Sequence, residues 1–151
     1  MAKKQPRLKK PVTTQKKPSN IIDPEQGRNK PLVWRLGRMV CDSNRKWNWC
    51  KCAEEKKMFE ILQKLGDIEK MTFHELNSSK RHHSIKVEQI AKKTPTAYKE
   101  LEILKLDTEL SLFSLALEGK LRVWCIFRAN LFSILWYDPD HDIYPKEKPH
   151  T

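Results

Sequence analysis

The chain has 151 residues, with 30 Lys and Arg against 19 Asp and Glu, a formal net charge of +11, and 38% apolar residues. That length favours one domain with a single hydrophobic core, and no apolar run approaches the roughly 18 residues of a membrane span. Four glycines, with no G-x-G-x-x-G and no G-x-x-x-x-G-K, exclude dinucleotide and P-loop phosphate chemistry.

Residues 1–30 hold nine Lys and Arg against two acids, together with Pro6, Pro11, Pro18 and Pro24. Ile21-Ile22 is their only apolar pair, so they cannot offset their ordering entropy, and a disordered basic tail is expected. Such an arm suits nucleic acid phosphates, and equally a solubilising or partner-binding role. The basic start runs into Gln5-Pro6-Arg7 rather than an apolar stretch, which argues against a secretory signal and for a cytoplasmic protein with reduced thiols.

One domain is expected over 31–145, followed by a flexible 146–151. Leu32–Leu36 and Met39–Cys41 look like strand material, Asp42–Arg45 like a turn, and Trp47-Asn48-Trp49 alternates. An antiparallel pair over 32–41 and 46–50 follows. Cys50-Lys51-Cys52 is too closely spaced for the usual zinc knuckle, so no metal is expected. The alternative is a zinc site from Cys41, Cys50, Cys52 and a distant His. From Ala53 the period becomes helical, with Met58, Phe59, Ile61, Leu62 and Leu65 on one face and a stop at Gly66. Thr72 and Glu75 have capping-box spacing, which starts a short helix carrying Phe73 and Leu76 inward. Ile85 and Val87 alternate like a strand, and Pro95 opens a helix carrying Tyr98, Leu101 and Leu104. Leu110–Leu117, Leu121–Arg128 and Leu131–Tyr137 then form a three-stranded meander, turning at Glu118-Gly119-Lys120 and Ala129-Asn130.

Alternation sorts the second meander strand into two faces. Leu121, Val123, Cys125 and Phe127 point to a core, while Arg122, Trp124, Ile126 and Arg128 point away. Two guanidiniums around an indole suit phosphates and stacked bases; the plainer alternative is solvated strand charge with Trp124 covering core. Leu131–Tyr137 is apolar on both faces, as a strand covered by a partner would be. Asp138-Pro139-Asp140-His141-Asp142-Ile143-Tyr144 follows. The acids beside His141 are expected to favour its protonated form and to repel a phosphate. An imidazolium there suits a general acid, with Tyr144 orienting a phosphate; otherwise both residues pin the segment to the sheet.

Lys120–Trp124, Leu131–Tyr137 and the His141-x-x-Tyr144 element, after helices and in this order, resemble the C-terminal half of RelE/YoeB-like toxins. The resemblance implies an α+β fold with N-terminal helices packed on a twisted antiparallel sheet of about four strands. It also implies metal-independent, cofactor-free cleavage of mRNA at the ribosome, leaving a 2′,3′-cyclic phosphate. An antitoxin protein is the implied partner, and a homodimer is a further expectation. By position, Arg122 matches the sheet arginine on the scissile phosphate, and His141 or Tyr144 the C-terminal acid or base. Lys80, Arg81 and Arg128 would hold the RNA backbone and Trp124 its bases. His82 and His83 are second candidates for acid or base, against a plainer role as polar residues entering a strand. The rival expectation is a non-catalytic nucleic-acid- or protein-binding module of the same fold.

Overall fold

A computed structural model describes residues 27–147 of the chain. The expected tail therefore lies outside the described residues as far as residue 26, as does 148–151. Of residues 27–30, assigned to that tail from sequence, Gly27 is buried and Arg28 half-buried against the domain. A Cβ on Gly27 would collide with that of Ala129, and the Arg28 guanidinium lies 5.7 Å from the Phe73 ring centre.

The elements in chain order are β1 (Val33–Arg35), α1 (Trp49–Glu54), α2 (Met58–Ile68), α3 (Phe73–Ser78), β2 (His83–Lys86), α4 (Val87–Lys93), α5 (Pro95–Ile103), β3 (Ser111–Glu118), β4 (Leu121–Arg128) and β5 (Leu131–Asp138). They form an α+β fold around a five-stranded sheet of order β1-β5-β4-β3-β2. The β2–β5 strands are antiparallel to their neighbours, whereas β1 runs parallel to β5, with Val33 opposite Leu131. Among the described residues no helix is long and apolar enough to cross a membrane.

Local chemistry explains most of these boundaries. Thr72 and Glu75 form the reciprocal capping box, with Thr72 N–H donating to Glu75 Oε2 at 2.7 Å and Glu75 N–H to Thr72 Oγ1 at 3.2 Å. Pro95 sits in the first turn of α5, where its missing N–H costs nothing. The β3–β4 turn needs a left-handed residue and has Gly119 there, at φ 49°.

The expected pairing of 32–41 with 46–50 is absent. The side chain of Asn48 accepts from Lys51 N–H at 3.1 Å and starts α1, so only Val33–Arg35 is strand. Gly66 does not stop α2, which runs on to Ile68. The expected inward face of α2 is also split: Ile61 and Leu65 are buried, but Phe59 and Leu62 are 71% and 52% exposed.

Both faces of the sheet are covered, and this is the main departure from helices on one side. One core joins Val123, Cys125, Phe132 and Tyr137 to Trp49, Ile61, Leu65, Phe73 and Leu76 of α1–α3. The other joins Leu112, Trp124, Ile126 and Trp136 to Val87, Ile90, Ala97 and Leu101 of α4 and α5, and to Trp47. Trp47 and Trp49 enter opposite cores, Trp47 against Trp136 and Trp49 against Tyr137. Each large side chain buried this way contributes about 1.5–3 kcal/mol. The two apolar faces of β5 are thus covered by the chain's own helices, and the sequence pattern that suggested a partner is satisfied internally.

Candidate functional site

Toward one end of the sheet the second layer stops short and leaves a cavity of about 500 Å³. Register builds its floor. His83 pairs with Ser114, Ser114 with Trp124, and Ala116 with Arg122, so His83, Ser114, Ala116 and Arg122 share one face. Lys80 and Arg81, ahead of β2, form one wall, and Lys93 at the end of α4 another. A strap after β5 closes the site with His141, Tyr144, Pro145 and Lys146. The predicted residues Lys80, Arg81, Arg122, His141 and Tyr144 therefore line the same cavity.

The strap is held from below by Asp138, which is fully buried. Its Oδ1 accepts from Asp142 N–H at 2.9 Å, and its Oδ2 accepts from Ile143 N–H and Trp124 Nε1–H, each at 3.2 Å. Ile143 is itself fully buried. Between these anchors His141 takes a left-handed backbone, φ 58°, which carries a cost on the order of 1 kcal/mol for a non-glycine residue. Burial raises the Asp138 carboxyl above its ordinary range, against the pull of those three donors.

The cavity is electrostatically one-sided. Lys80, Arg81, Lys93, Arg122 and Lys146 line it together with His83 and His141, and no Asp or Glu does. Among the described residues none of the five cations is in an ion pair. Lys93 Nζ lies 4.4 Å from the ring centre of Tyr144, a cation–π contact that ties α4 to the strap. Arg122 Nη1 donates to Gly119 O at 2.8 Å and to Leu121 O at 3.0 Å, which fixes the guanidinium while leaving its remaining N–H groups for a ligand. Five like charges with only the buried Asp138 acting against them at Arg122 repel one another, and an anion relieves that repulsion.

The direction of shift expected for His141 is reversed. Its pKa is pushed below the ordinary range by burial first, then by Arg122, Lys146 and Lys93, while a hydrogen bond with the Tyr144 backbone opposes. The neighbouring acids act elsewhere: Asp138 is bonded beneath the strap, Asp140 faces Lys51 at 3.8 Å, and Asp142 faces Lys46 at 3.9 Å. None of them lines the cavity or raises the His141 pKa.

Two predicted RNA contacts are not in this site. Trp124 is fully buried and spends its indole N–H on Asp138, so it offers no stacking surface. The same-face alternation was right, but α4 and α5 cover that stretch of β4. Arg128, six residues along the strand, makes a two-point ion pair with Glu109 at 2.9 and 2.8 Å, away from the cavity. Lys93, Ser114 and Lys146 were missed; only the β2–β3 register and the strap's path bring them in. Cys50 Sγ–H donates to Cys41 O at 2.9 Å, Cys52 is buried with its thiol pushed up to about 11 by burial and then by Glu55, and no group of three or more potential metal ligands occurs among the described residues.

His82 and His83 part company. His83 is exposed to the cavity, whereas His82 is buried and its Nδ1 accepts from Ala116 N–H at 3.1 Å. Burial, then Arg81, His83 and Arg122, lower the His82 pKa to about 4. The folded state thus resists a proton that the unfolded chain takes up near pH 6.5, and stability falls as pH drops from 6.5 toward 4. The loss is expected to reach about 3 kcal/mol by pH 4. His82→Asn, whose Oδ1 still accepts from Ala116, should remove that part of the decline in urea titrations at pH 7.5 and 4.5.

The fold is thus α+β, its sheet covered on both faces, with a polycationic cavity at one end. Over residues 46–151 the chain matches the family described as Uncharacterised protein UU032, and it belongs to that family. The matched segment includes all of the cavity-lining residues. No curated protein and no solved structure matches the chain.

Proposed function

We propose that the cavity binds an RNA phosphodiester and that the protein is a RelE-like, metal-independent endoribonuclease acting on mRNA at the ribosome. The observation that carries this reading is the convergence of Arg122, His141 and Tyr144 with four further cations on one cavity free of carboxylates. Five cations exceed what a single phosphate neutralises, which favours a polynucleotide with phosphates flanking the scissile one. The donor set suits an anion, and imidazoles are the groups available to move protons. The antiparallel meander with its central arginine and the following His-x-x-Tyr strap support the resemblance, while parallel β1 and the second helical layer are additions to it.

On this reading Arg122 stabilises charge developing on the phosphate, and such preorganised donors typically supply 10²- to 10³-fold in rate. His141, its pKa lowered by burial and by Arg122, is ready as a general base for a 2′-hydroxyl. Tyr144, beneath Lys93, orients the phosphate. The test is to incubate the full chain with mRNA, free in EDTA and on intact ribosomes in Mg²⁺ buffer, and analyse the cut ends. Cleavage with 2′,3′-cyclic phosphate ends is expected. RNA bound but uncut in both settings would overturn catalysis and favour the binding module; no RNA binding would overturn both.

A further inference from the structure

The cavity holds a second imidazole for which the roles above have no use. His83 stands on edge strand β2, whereas His141 stands on the strap leaving β5, three strands across the sheet. The register separates His83 from Arg122 by two strands and two residues, about 12 Å between Cα atoms on the same face. That gap is spanned by an imidazole, one phosphate and a guanidinium. His82, its neighbour, is turned away and bonded to the backbone, so the proton-carrying group that β2 presents is His83.

Attack of a 2′-oxygen on phosphorus requires entering and leaving oxygens roughly in line. Base and acid must therefore approach the phosphate from different sides. Tyr144 is a poorer acid for this purpose, because it lies on the same strap as His141, three residues on, with its ring under the Lys93 ammonium. The two imidazoles come from separate elements.

Resting on the nuclease reading, we infer that His83 is the general acid that protonates the leaving 5′-oxygen, paired with His141 as the base. The 2′-hydroxyl proton passes to the free ring nitrogen of neutral His141, and the 2′-oxygen bonds to phosphorus. The P–O5′ bond breaks with its electron pair on O5′, which takes the proton of the His83 imidazolium. The products are a 2′,3′-cyclic phosphate and a 5′-hydroxyl, and water returns both imidazoles to their starting states. No co-reactant is required.

The discriminating experiment varies the leaving group. An mRNA carrying one 5′-bridging phosphorothiolate at a mapped cleavage position offers a sulfur leaving group that departs without a proton. It is compared with the ordinary linkage, on ribosomes or free, whichever wild type cleaves. His83→Gln is expected to slow the ordinary linkage by about 10²- to 10⁴-fold and the thiolate linkage by less than about fivefold. His141→Gln should slow both. Equal slowing of the two linkages by His83→Gln, or slowing of neither, overturns the assignment. Because His83 is exposed, the variant should keep the wild-type melting temperature, and retained cleavage of the thiolate linkage proves the chain folded. Wild type cutting neither linkage would instead sink the nuclease reading itself, a separate outcome.

Discussion

Arg122→Ala is expected to reduce RNA cleavage by about 10²- to 10³-fold while leaving the melting temperature within a degree or two of wild type. The guanidinium is pinned by Gly119 O and Leu121 O, so its position is set before a ligand arrives. Burial and Arg81 both disfavour its charge, and only Asp138, its partner across the β4–β5 register, compensates. An anion arriving there gains from a charge that has already lost part of its water. Arg122→Lys should recover little, because an ammonium cannot hold the turn carbonyls and still present a planar fork to phosphate. Affinity measured across a salt series should also change, the slope of log K against log salt becoming shallower by about 0.7 for single-stranded RNA. Full cleavage by Arg122→Ala would remove the guanidinium from the mechanism.

The second large effect is on the strap. Asp138→Ala leaves Trp124 Nε1–H and Ile143 N–H without their acceptor in a buried setting, and Asp142 N–H in a part-buried one. Each orphaned donor costs about 1–3 kcal/mol, so a loss of about 3–5 kcal/mol is expected in urea unfolding. That is a large part of the 5–15 kcal/mol typical of a domain. Asp138→Asn should fall between, since its single oxygen serves one side of the site and its amide opposes a donor on the other. The strained backbone at His141 depends on these bonds, so both variants should also lose cleavage at temperatures where they remain folded. Wild-type stability in Asp138→Ala would mean that Ile143 burial alone holds the strap.

Local signals in the sequence were read correctly because their causes are local. The Thr72 and Glu75 pair, Pro95 in a first turn, and the three alternating strands each depend on neighbours a few residues away. Arg122 and Trp124 show where this stops. Their shared face follows from alternation, yet one is at the cavity and the other under helices, which depends on how far α4 and α5 reach along the sheet. The apolar double face of β5 was a legible sign of a second layer; nothing local said that this chain supplied it. At His141 the sequence shows three nearby acids, but their direction is a property of the turn. Trp47 and Trp49 alternate as a strand would, though the cause is a helix start between two cores. The outward placement of Phe59 and Leu62 has no explanation in the structure.

β1 is only three residues long, yet without it the eight-residue β5 would end the sheet with a bare row of amides and carbonyls. Unprotected margins of that kind recruit foreign strands and seed aggregates. Val33–Arg35, helped by Val40 N–H donating to Leu135 O, works as a gatekeeper on that border. Its mate lies 98 positions further along, from Val33 to Leu131, so this pairing carries a loop-closure cost that the hairpins of the meander do not. A chain that has not closed this pair leaves the β5 border bare.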